Sequence, residues 1–172
     1  MIYSDTHSID YCVNSLDILT QNLEETKVYH DSLASHFHLI FHYPDLDIKT
    51  SGYASLASIG MDLISDNHLR SEIGKFYTYT LPATRMAFHE TRDDFYHYML
   101  DFQNTEFETA GNGNNSLKRV PVNYEALTNN TAFIESIRTY KDVFMFYRRK
   151  AIVALNECKK LHQEVEEKLK TQ

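Results

Sequence analysis

Apolar residues recur every three or four positions through the first quarter of the chain. This spacing places them on one face of a helix, so the pattern predicts a long amphipathic helix over residues 6–43. The helix is expected to end before Pro44, because the residue that precedes a proline is disfavoured in helical geometry. Two polar residues, Thr26 and His30, fall on the apolar face, and His30 is interpreted as a hydrogen-bonded core histidine. The apolar positions are Ile9, Cys12, Leu16, Leu19, Leu23, Leu33, Phe37 and Ile40.

Two further helices are predicted in the middle of the chain. A short one covers residues 51–59 and ends at Gly60, because the backbone freedom of glycine is typical of helix C-termini. A long one covers residues 66–103, where apolar residues again recur at threes and fours. We expect a kink near Pro82, since proline removes one backbone hydrogen bond while the apolar phase continues across it.

The remaining residues divide into one loop and one helix. Residues 104–123 have no helical period and contain the sequence GNGNN, which predicts a long mobile loop. The last helix is predicted over residues 130–170, where aromatic and aliphatic residues form a sustained core stripe.

These segments predict an all-α fold with one domain over residues 1–172. Three long helices give an elongated antiparallel bundle, and the short helix braces one of its ends. In this up-down-up order the first and last helices run parallel, which places Cys12 near Ile137 and Cys158 near Ser32. No disulfide between the two cysteines is therefore expected.

Composition and charge limit the classes of function. The 172 residues carry a formal net charge of −7. Such a chain is not expected to bind nucleic acid or an anionic membrane surface, because that binding depends on clustered Lys and Arg. The one basic cluster, residues 148–150, is interpreted as a solvated helix face. No stretch approaches the roughly 18 apolar residues of a transmembrane helix.

Four histidines lie close together near the end of the first predicted helix. His38 and His42 are four residues apart, a spacing that lets two imidazoles on one helical face share a metal ion. Asp45 or Asp47 could complete such a site. The alternative is that both histidines lie near a helix C-terminus, where the helix dipole favours imidazolium. The four histidines are His30, His36, His38 and His42.

Catalytic chemistry has little support in the sequence. Asp94 and His97 form a variant of the Glu-x-x-His pair of di-iron bundle proteins, but such a site needs a second pair and two further carboxylates, and the chain has no second pair. Their ridge, which includes Glu90 and Asp101, lies opposite the apolar face and is expected to face water. No G-x-S-x-G elbow, P-loop or dinucleotide-binding glycine motif is present. We therefore predict that the chain is not an enzyme and that it binds no cofactor.

One stretch, residues 58–77, has a distinctive order of stops and caps. It combines a serine-x-glycine, an aspartate-leucine-isoleucine, a polar cap, a leucine-arginine pair and an aromatic pair. In these features the chain resembles an uncharacterised bacterial family of single-pass, membrane-anchored helical proteins. The resemblance implies a domain outside the cytoplasm, held at the inner membrane by a preceding transmembrane helix that residues 1–172 do not include. The features are Ser58, Gly60, Asp62, Leu63, Ile64, Leu69, Arg70, Phe76 and Tyr77.

The same stretch predicts a junction between two helices. Gly60 ends the short helix, and Leu63 and Ile64 are expected to fill the space between the long helices. Arg70 lies in the first turn of the next helix, where the dipole is unfavourable for a cation, so it requires an anionic partner. Asp62 is the nearest candidate, and a structural ion pair is favoured over a binding role for these two residues.

Three hypotheses of function follow from these patterns. The leading one is a non-enzymatic interaction or scaffold domain, the extracytoplasmic part of a membrane-anchored bacterial protein, which binds a partner protein or a second copy of itself. The first alternative is a small-molecule-sensing bundle with its site near Gly60. The second is a metal-binding protein that uses the histidines of residues 30–42. Contact with the membrane is expected only through the preceding helix.

Overall fold

The computed structural model describes residues 2–41, 50–110 and 118–170, and its side chains from Ser8 onward. The described chain is mostly helical, which confirms the all-α class, although two short strands are added to it. The helices are α1 Ile2–Gln21, α2 Leu33–Ile40, α3 Ser51–Ile59, α4 Asn67–Lys75, α5 Leu81–Asp94, α6 Leu100–Thr105, α7 Tyr124–Thr128 and α8 Thr131–Lys170. The strands are β1 Phe107–Ala110 and β2 Lys118–Pro121.

The first predicted helix is in fact a helical hairpin, so the prediction of one helix over residues 6–43 is wrong. α1 continues as a π-helical turn over Asn22–Thr26 and then ends at Lys27, which has a left-handed φ of 54°. After this turn α2 folds back onto α1, and the Ser15 hydroxyl is hydrogen-bonded to Nδ1 of His36 at 3.0 Å. His30 is exposed in the turn and is not a core histidine.

The direction of α1 relative to α8 also differs from the prediction. Asp10 pairs with Arg148 at 2.5 Å, and Glu24 pairs with Arg138 at 2.7 Å. Because the residue numbers rise along α1 while they fall along α8, the two helices are antiparallel. Cys12 therefore does not lie near Ile137, and Cys158 does not lie near Ser32. The extra reversal between α1 and α2 is the physical reason.

The long middle helix is continuous across Pro82. α4, α5 and α6 are joined by two π-helical turns, Phe76–Thr80 and Phe95–Met99. The first of these turns ends two residues before Pro82, and just after it the N–H of Leu81 donates to the carbonyl of Phe76. A wider helical turn accommodates a missing proline donor without ending the helix, so the chain is not divided at Pro82.

The middle helix packs antiparallel to α8 through pairs of aromatic rings. The centroids of Phe88 and Tyr147 are 5.8 Å apart, and those of Phe102 and Phe133 are 5.2 Å apart. α1, α2, the second half of the middle helix and the first half of α8 thus enclose one core. Four helical segments surround this core, which differs from the three long helices predicted.

The predicted loop over residues 104–123 contains regular structure. β1 and β2 pair antiparallel, with Phe107 opposite Pro121 and Ala110 opposite Lys118. Phe107 is buried, and its ring lies 4.9 Å from that of Phe41. The ribbon therefore covers the end of the core next to α2. Residues 111–117, with the GNGNN sequence, lie outside the described residues.

The helix ends after the ribbon follow the polar caps in the sequence. Asn123 accepts a hydrogen bond from the N–H of Ala126 at 3.0 Å, and it begins α7. Asn130 accepts one from the N–H of Phe133 at 3.1 Å, just before α8 begins. An N-terminal asparagine satisfies an N–H group that has no intrahelical partner. The prediction of a last helix over residues 130–170 is confirmed to within one residue.

Candidate binding groove

The helix junction forms where it was predicted, but it does not fill the bundle. α3 covers residues 51–59 as predicted and ends at Gly60, whose φ is 125°. A short 3₁₀ turn over residues 61–63 follows. The side chain of Leu63 is 69% exposed, and that of Ile64 is only half-buried. Leu63 therefore does not fill the space between the long helices, because the turn holds it towards solvent, whereas Ile64 lines that space together with Leu69 and Val165.

Arg70 and Asp62 lie together on the surface. Nη1 of Arg70 lies 2.6 Å from Oδ1 of Asp62, and Arg70 also donates a hydrogen bond to the side chain of Asn67. Asp62 is 99% exposed, so the attraction is screened by water and contributes little to stability. Neither residue lines a cavity among those described.

An open apolar groove lies between α3, α4 and the C-terminal half of α8. We call it the distal groove. It consists of two adjoining halves of about 350 Å³ each, which share Leu56, Ile73 and Val165. The first half is lined by Gly52, Tyr53, Leu56, Ile73, Phe76, Tyr77, Cys158, Leu161, His162 and Val165. The second is lined by Leu56, Leu63, Ile64, Ser65, Asp66, Leu69, Ile73, Val165, Lys168 and Leu169.

Among the described residues, few side chains cover the C-terminal half of α8. α3 contributes no buried side chain, and α8 contributes none beyond Ala154. Asp10 of α1 is level with Arg148 of α8, and Ile2, the first described residue of α1, lies about 12 Å further along. The apolar stripe of α8 continues past that level, where its side chains line the groove.

Two stacked tyrosines form one wall of the groove. The rings of Tyr53 on α3 and Tyr77 are 4.2 Å apart between centroids and inclined by 6°. Burial raises the pKa of Tyr77, and the neighbouring Cys158 and Tyr53 add to the effect. This contact holds α3 against the middle helix while the apolar side chains below it stay accessible.

An ion pair closes the other end of the groove. The Asp66 carboxyl accepts hydrogen bonds from the N–H groups of His68 and Leu69, at 2.9 and 3.1 Å, and so caps α4. Its other oxygen lies 2.7 Å from Nζ of Lys168. The hydrogen bond from Lys168 and that from Leu69 lower the pKa of Asp66 to about 2. The pair therefore remains ionised at neutral pH and ties α8 to α4.

The two cysteines should differ sharply in reactivity. Cys12 is buried, and desolvation raises its thiol pKa to about 12, so almost no thiolate forms at neutral pH. Cys158 is half-buried and lines the open groove. We expect a thiol reagent to modify one cysteine in the folded protein and both after denaturation, with peptide mass mapping locating the first at Cys158. Modification of Cys12 at an equal rate would contradict this arrangement.

The histidine cluster is not brought together in the part of the chain that the structure describes. His36 is held by Ser15, His30 is exposed in the turn between α1 and α2, and His38 is half-buried in the last turn of α2. His42, Asp45 and Asp47 lie outside the described residues. Among the residues described, no three histidine, cysteine or acidic side chains are close enough to hold a metal ion.

The acidic ridge forms part of a second surface groove. Glu90, Asp93 and Asp94 on α5 face Asp142 and Phe146 on α8 across a space of about 500 Å³. Burial raises the pKa of Asp94, and the charge of Asp93 acts in the same direction, whereas His97 opposes it. Glu90, His97 and Asp101 are exposed, as the sequence predicts, whereas Asp94 is half-buried, and the contribution of α8 to this surface was missed.

Sequence reasoning placed a small-molecule site near Gly60, at Arg70 and Asp62, but it did not identify the residues that line the distal groove. Its residues come from three helices, and the stripe of α8 reads as core whether or not another helix covers it. Comparisons of the chain with models of protein families, with curated proteins and with solved structures find no match. Within the described residues, no helix combines the length and apolar character needed to cross a membrane.

Proposed function

We propose that the chain is a non-enzymatic protein-interaction domain, and that the distal groove binds an amphipathic helix of a partner protein. The observation that carries this proposal is the continuous apolar lining of the groove. Soluble proteins seldom leave a large contiguous apolar surface uncovered unless another molecule binds there. A helix that enters such a groove presents apolar residues at intervals of three and four positions.

The dimensions of the groove suit a short helical segment. Along α8 its lining extends from Cys158 to Leu169, a rise of about 16 Å, or roughly three helical turns. Three or four apolar anchors fit within that length. Each anchor that becomes fully buried gains about 1.5–3 kcal/mol, part of which is offset by the entropy lost on association.

A small apolar molecule is the second candidate for the same groove. Each half has about 350 Å³, which is within the usual size of ligand pockets, and a few polar groups accompany the apolar lining. The stacked rings of Tyr53 and Tyr77 offer a flat wall to such a ligand. Small-molecule sensing is therefore the alternative function. Its site would lie in the distal groove beside Gly60 and not at Arg70 and Asp62.

The cellular setting is part of the proposal and rests on the resemblance of residues 58–77. We propose that the domain faces the periplasm and is held at the inner membrane by a helix preceding residue 1. The C-terminus of the native gene product, fused to alkaline phosphatase, should then give active phosphatase in a bacterial host. A fusion that is fluorescent with a cytoplasmic reporter and inactive as phosphatase would overturn this location.

The groove proposal is tested through the thiol of Cys158. Occupation of the groove should slow modification of this thiol, because the cysteine lines the same space. The probes are three synthetic amphipathic helical peptides with apolar residues at i, i+3, i+4 and i+7, differing in their charged faces, and dodecanoate as the small apolar ligand. Leu161→Asp should abolish protection, since it places a carboxylate in the lining. Val122→Asp, on an exposed position outside the groove, is the matched control.

Each outcome of this experiment distinguishes the candidates. Protection by a peptide, lost in Leu161→Asp and kept in Val122→Asp, supports helix binding. Protection by dodecanoate alone supports the small-molecule alternative and overturns helix binding. If neither probe protects Cys158, or if Leu161→Asp leaves the protection unchanged, the groove is not a binding site of either kind.

A further inference from the structure

A second exposed apolar surface lies on the other side of the middle helix, away from the distal groove. It is formed by α5 and α8, and we call it the α5/α8 face. Two apolar side chains of α8 are exposed on this face: Phe146 at 36% and Val153 at 51%. The hydroxyl of Thr84 on α5 donates to the carbonyl of Lys150 on α8 at 3.4 Å, so the two helices are in contact beside them. Phe146 and Val153 are seven residues apart and share one side of α8, where they form an apolar strip.

Charges of opposite sign lie on either side of Phe146 along α8. Asp142 is four residues before Phe146, and the groove that both residues line also contains Glu90, Asp93 and Asp94. Lys150 is four residues after Phe146, and its ammonium lies over the Phe146 ring at 5.5 Å from the centroid. Because a helix repeats every 3.6 residues, positions 142, 146 and 150 share one face of α8. Arg149 is exposed beside Lys150.

This surface is complementary to a copy of itself that is rotated by 180° about a two-fold axis. If two copies of α8 pack antiparallel with Phe146 at the two-fold axis, a residue four positions before Phe146 meets one four positions after it. Asp142 of each copy then faces Lys150 of the other, and the two Phe146 rings meet at the centre. Two-fold interfaces of this kind require one surface to be complementary to itself, which few surfaces are.

We propose that the α5/α8 face binds a second copy of this chain and forms a symmetric antiparallel dimer. The occupant is argued from charge: the chain is acidic overall, so two copies repel unless opposite charges are brought together locally. On this face, Asp142 and the other acidic side chains of one copy lie against Arg149 and Lys150 of the second copy, which brings opposite charges together. Arg148, the first residue of the basic triplet, pairs instead with Asp10 on α1, away from the face. The dimer uses a different surface from the distal groove and holds or fails independently of it.

Charge reversal tests both the dimer and its register. Asp142→Lys should be monomeric, because two lysines then face each other at both symmetric positions. Lys150→Asp should be monomeric for the corresponding reason with two aspartates. An equimolar mixture of the two variants should dimerise again, since each contact then joins a lysine to an aspartate. Sedimentation velocity over a concentration series measures all three samples, with the wild-type chain as reference.

Controls separate the proposed contact from general effects of charge. Glu166→Lys changes an exposed carboxylate on α8 about 36 Å from Asp142, and it should leave the dimer intact. Each variant should keep the thermal stability of the wild-type chain, because positions 142 and 150 lie outside the core. A higher salt concentration should weaken the dimer by screening its rim charges.

The results that overturn the proposal are clear. A wild-type chain that remains monomeric across the whole concentration series rules out the dimer. A dimer that persists in both single variants shows that copies associate through another face. Two monomeric variants that fail to combine in the mixture exclude the antiparallel register about Phe146.

Discussion

Replacing Phe37 with alanine should lower the free energy of unfolding by about 3–5 kcal/mol, the range for deleting a fully buried phenylalanine. The Phe37 side chain on α2 is inaccessible to solvent and packs against the ribbon and α7. Its ring centroid is 4.9 Å from that of Phe107 and 6.5 Å from that of Tyr124. These partners are held by separate elements that cannot all move into the space left behind, so a cavity remains. Urea unfolding followed by circular dichroism measures the change.

Tyr11→Ala is the matched control for this prediction. Tyr11 is an aromatic residue on α1, but its side chain is exposed to solvent. Its replacement should change stability by less than about 0.5 kcal/mol, as is usual for surface positions. If Phe37→Ala costs no more than the control, α2 does not pack into the core as described. The urea dependence should be similar in the two variants, so that the difference reflects native packing.

Local signals in the sequence were sufficient for most helix ends. Gly60 ends α3 because its φ of 125° is costly for other residues. Asn130 begins α8 because its side chain satisfies a free N–H group. The apolar phase that is kept across Pro82 indicated that the chain stays helical there, and it does so after a π-helical turn. These features depend on a few neighbouring residues, and a single sequence contains all the information needed.

The reversal between α1 and α2 could not be recognised in the same way. Leu33 and Phe37 keep the spacing of an apolar helix face, and that spacing is the same in one long helix and in a hairpin. The turn contains no glycine or proline; Lys27 alone adopts the left-handed conformation. Only the two polar interruptions at Thr26 and His30 indicated a break, and these were interpreted as core positions. The wrong direction of α1 relative to α8 followed from this one error.

The residues of the two candidate binding surfaces could not be recognised in the sequence for a similar reason. Leu161 and Val165 continue the stripe of α8 in the sequence, yet in the structure they line an open groove. A stripe identifies which side of a helix is apolar, but its spacing does not show whether another helix covers it. The α5/α8 face was missed for the same reason, since Phe146 stands beside core residues. Coverage depends on which other elements pack against a given part of the helix, which is a tertiary property.

A distance measurement should show directly that residues 2–41 form a hairpin. Nitroxide labels at Asn14→Cys and Ser35→Cys occupy exposed positions on α1 and α2. Packed helices lie about 8–10 Å apart, so the labels should be within about 20 Å of each other. One continuous helix would separate positions 14 and 35 by about 31 Å, since each residue adds 1.5 Å. Electron paramagnetic resonance distinguishes these two separations.

The labelling depends on the different surroundings of the native cysteines. Cys158→Ser removes the accessible thiol of the distal groove, while Cys12 is buried and has a thiol pKa of about 12, so it should not react at neutral pH. A variant with labels at Asn14→Cys and Tyr11→Cys, three residues apart on α1, gives the short-distance reference. The hairpin brings the hydroxyl of Ser15 within 3.0 Å of His36. A separation near 31 Å would therefore refute the hairpin and restore the parallel arrangement of the first and last helices.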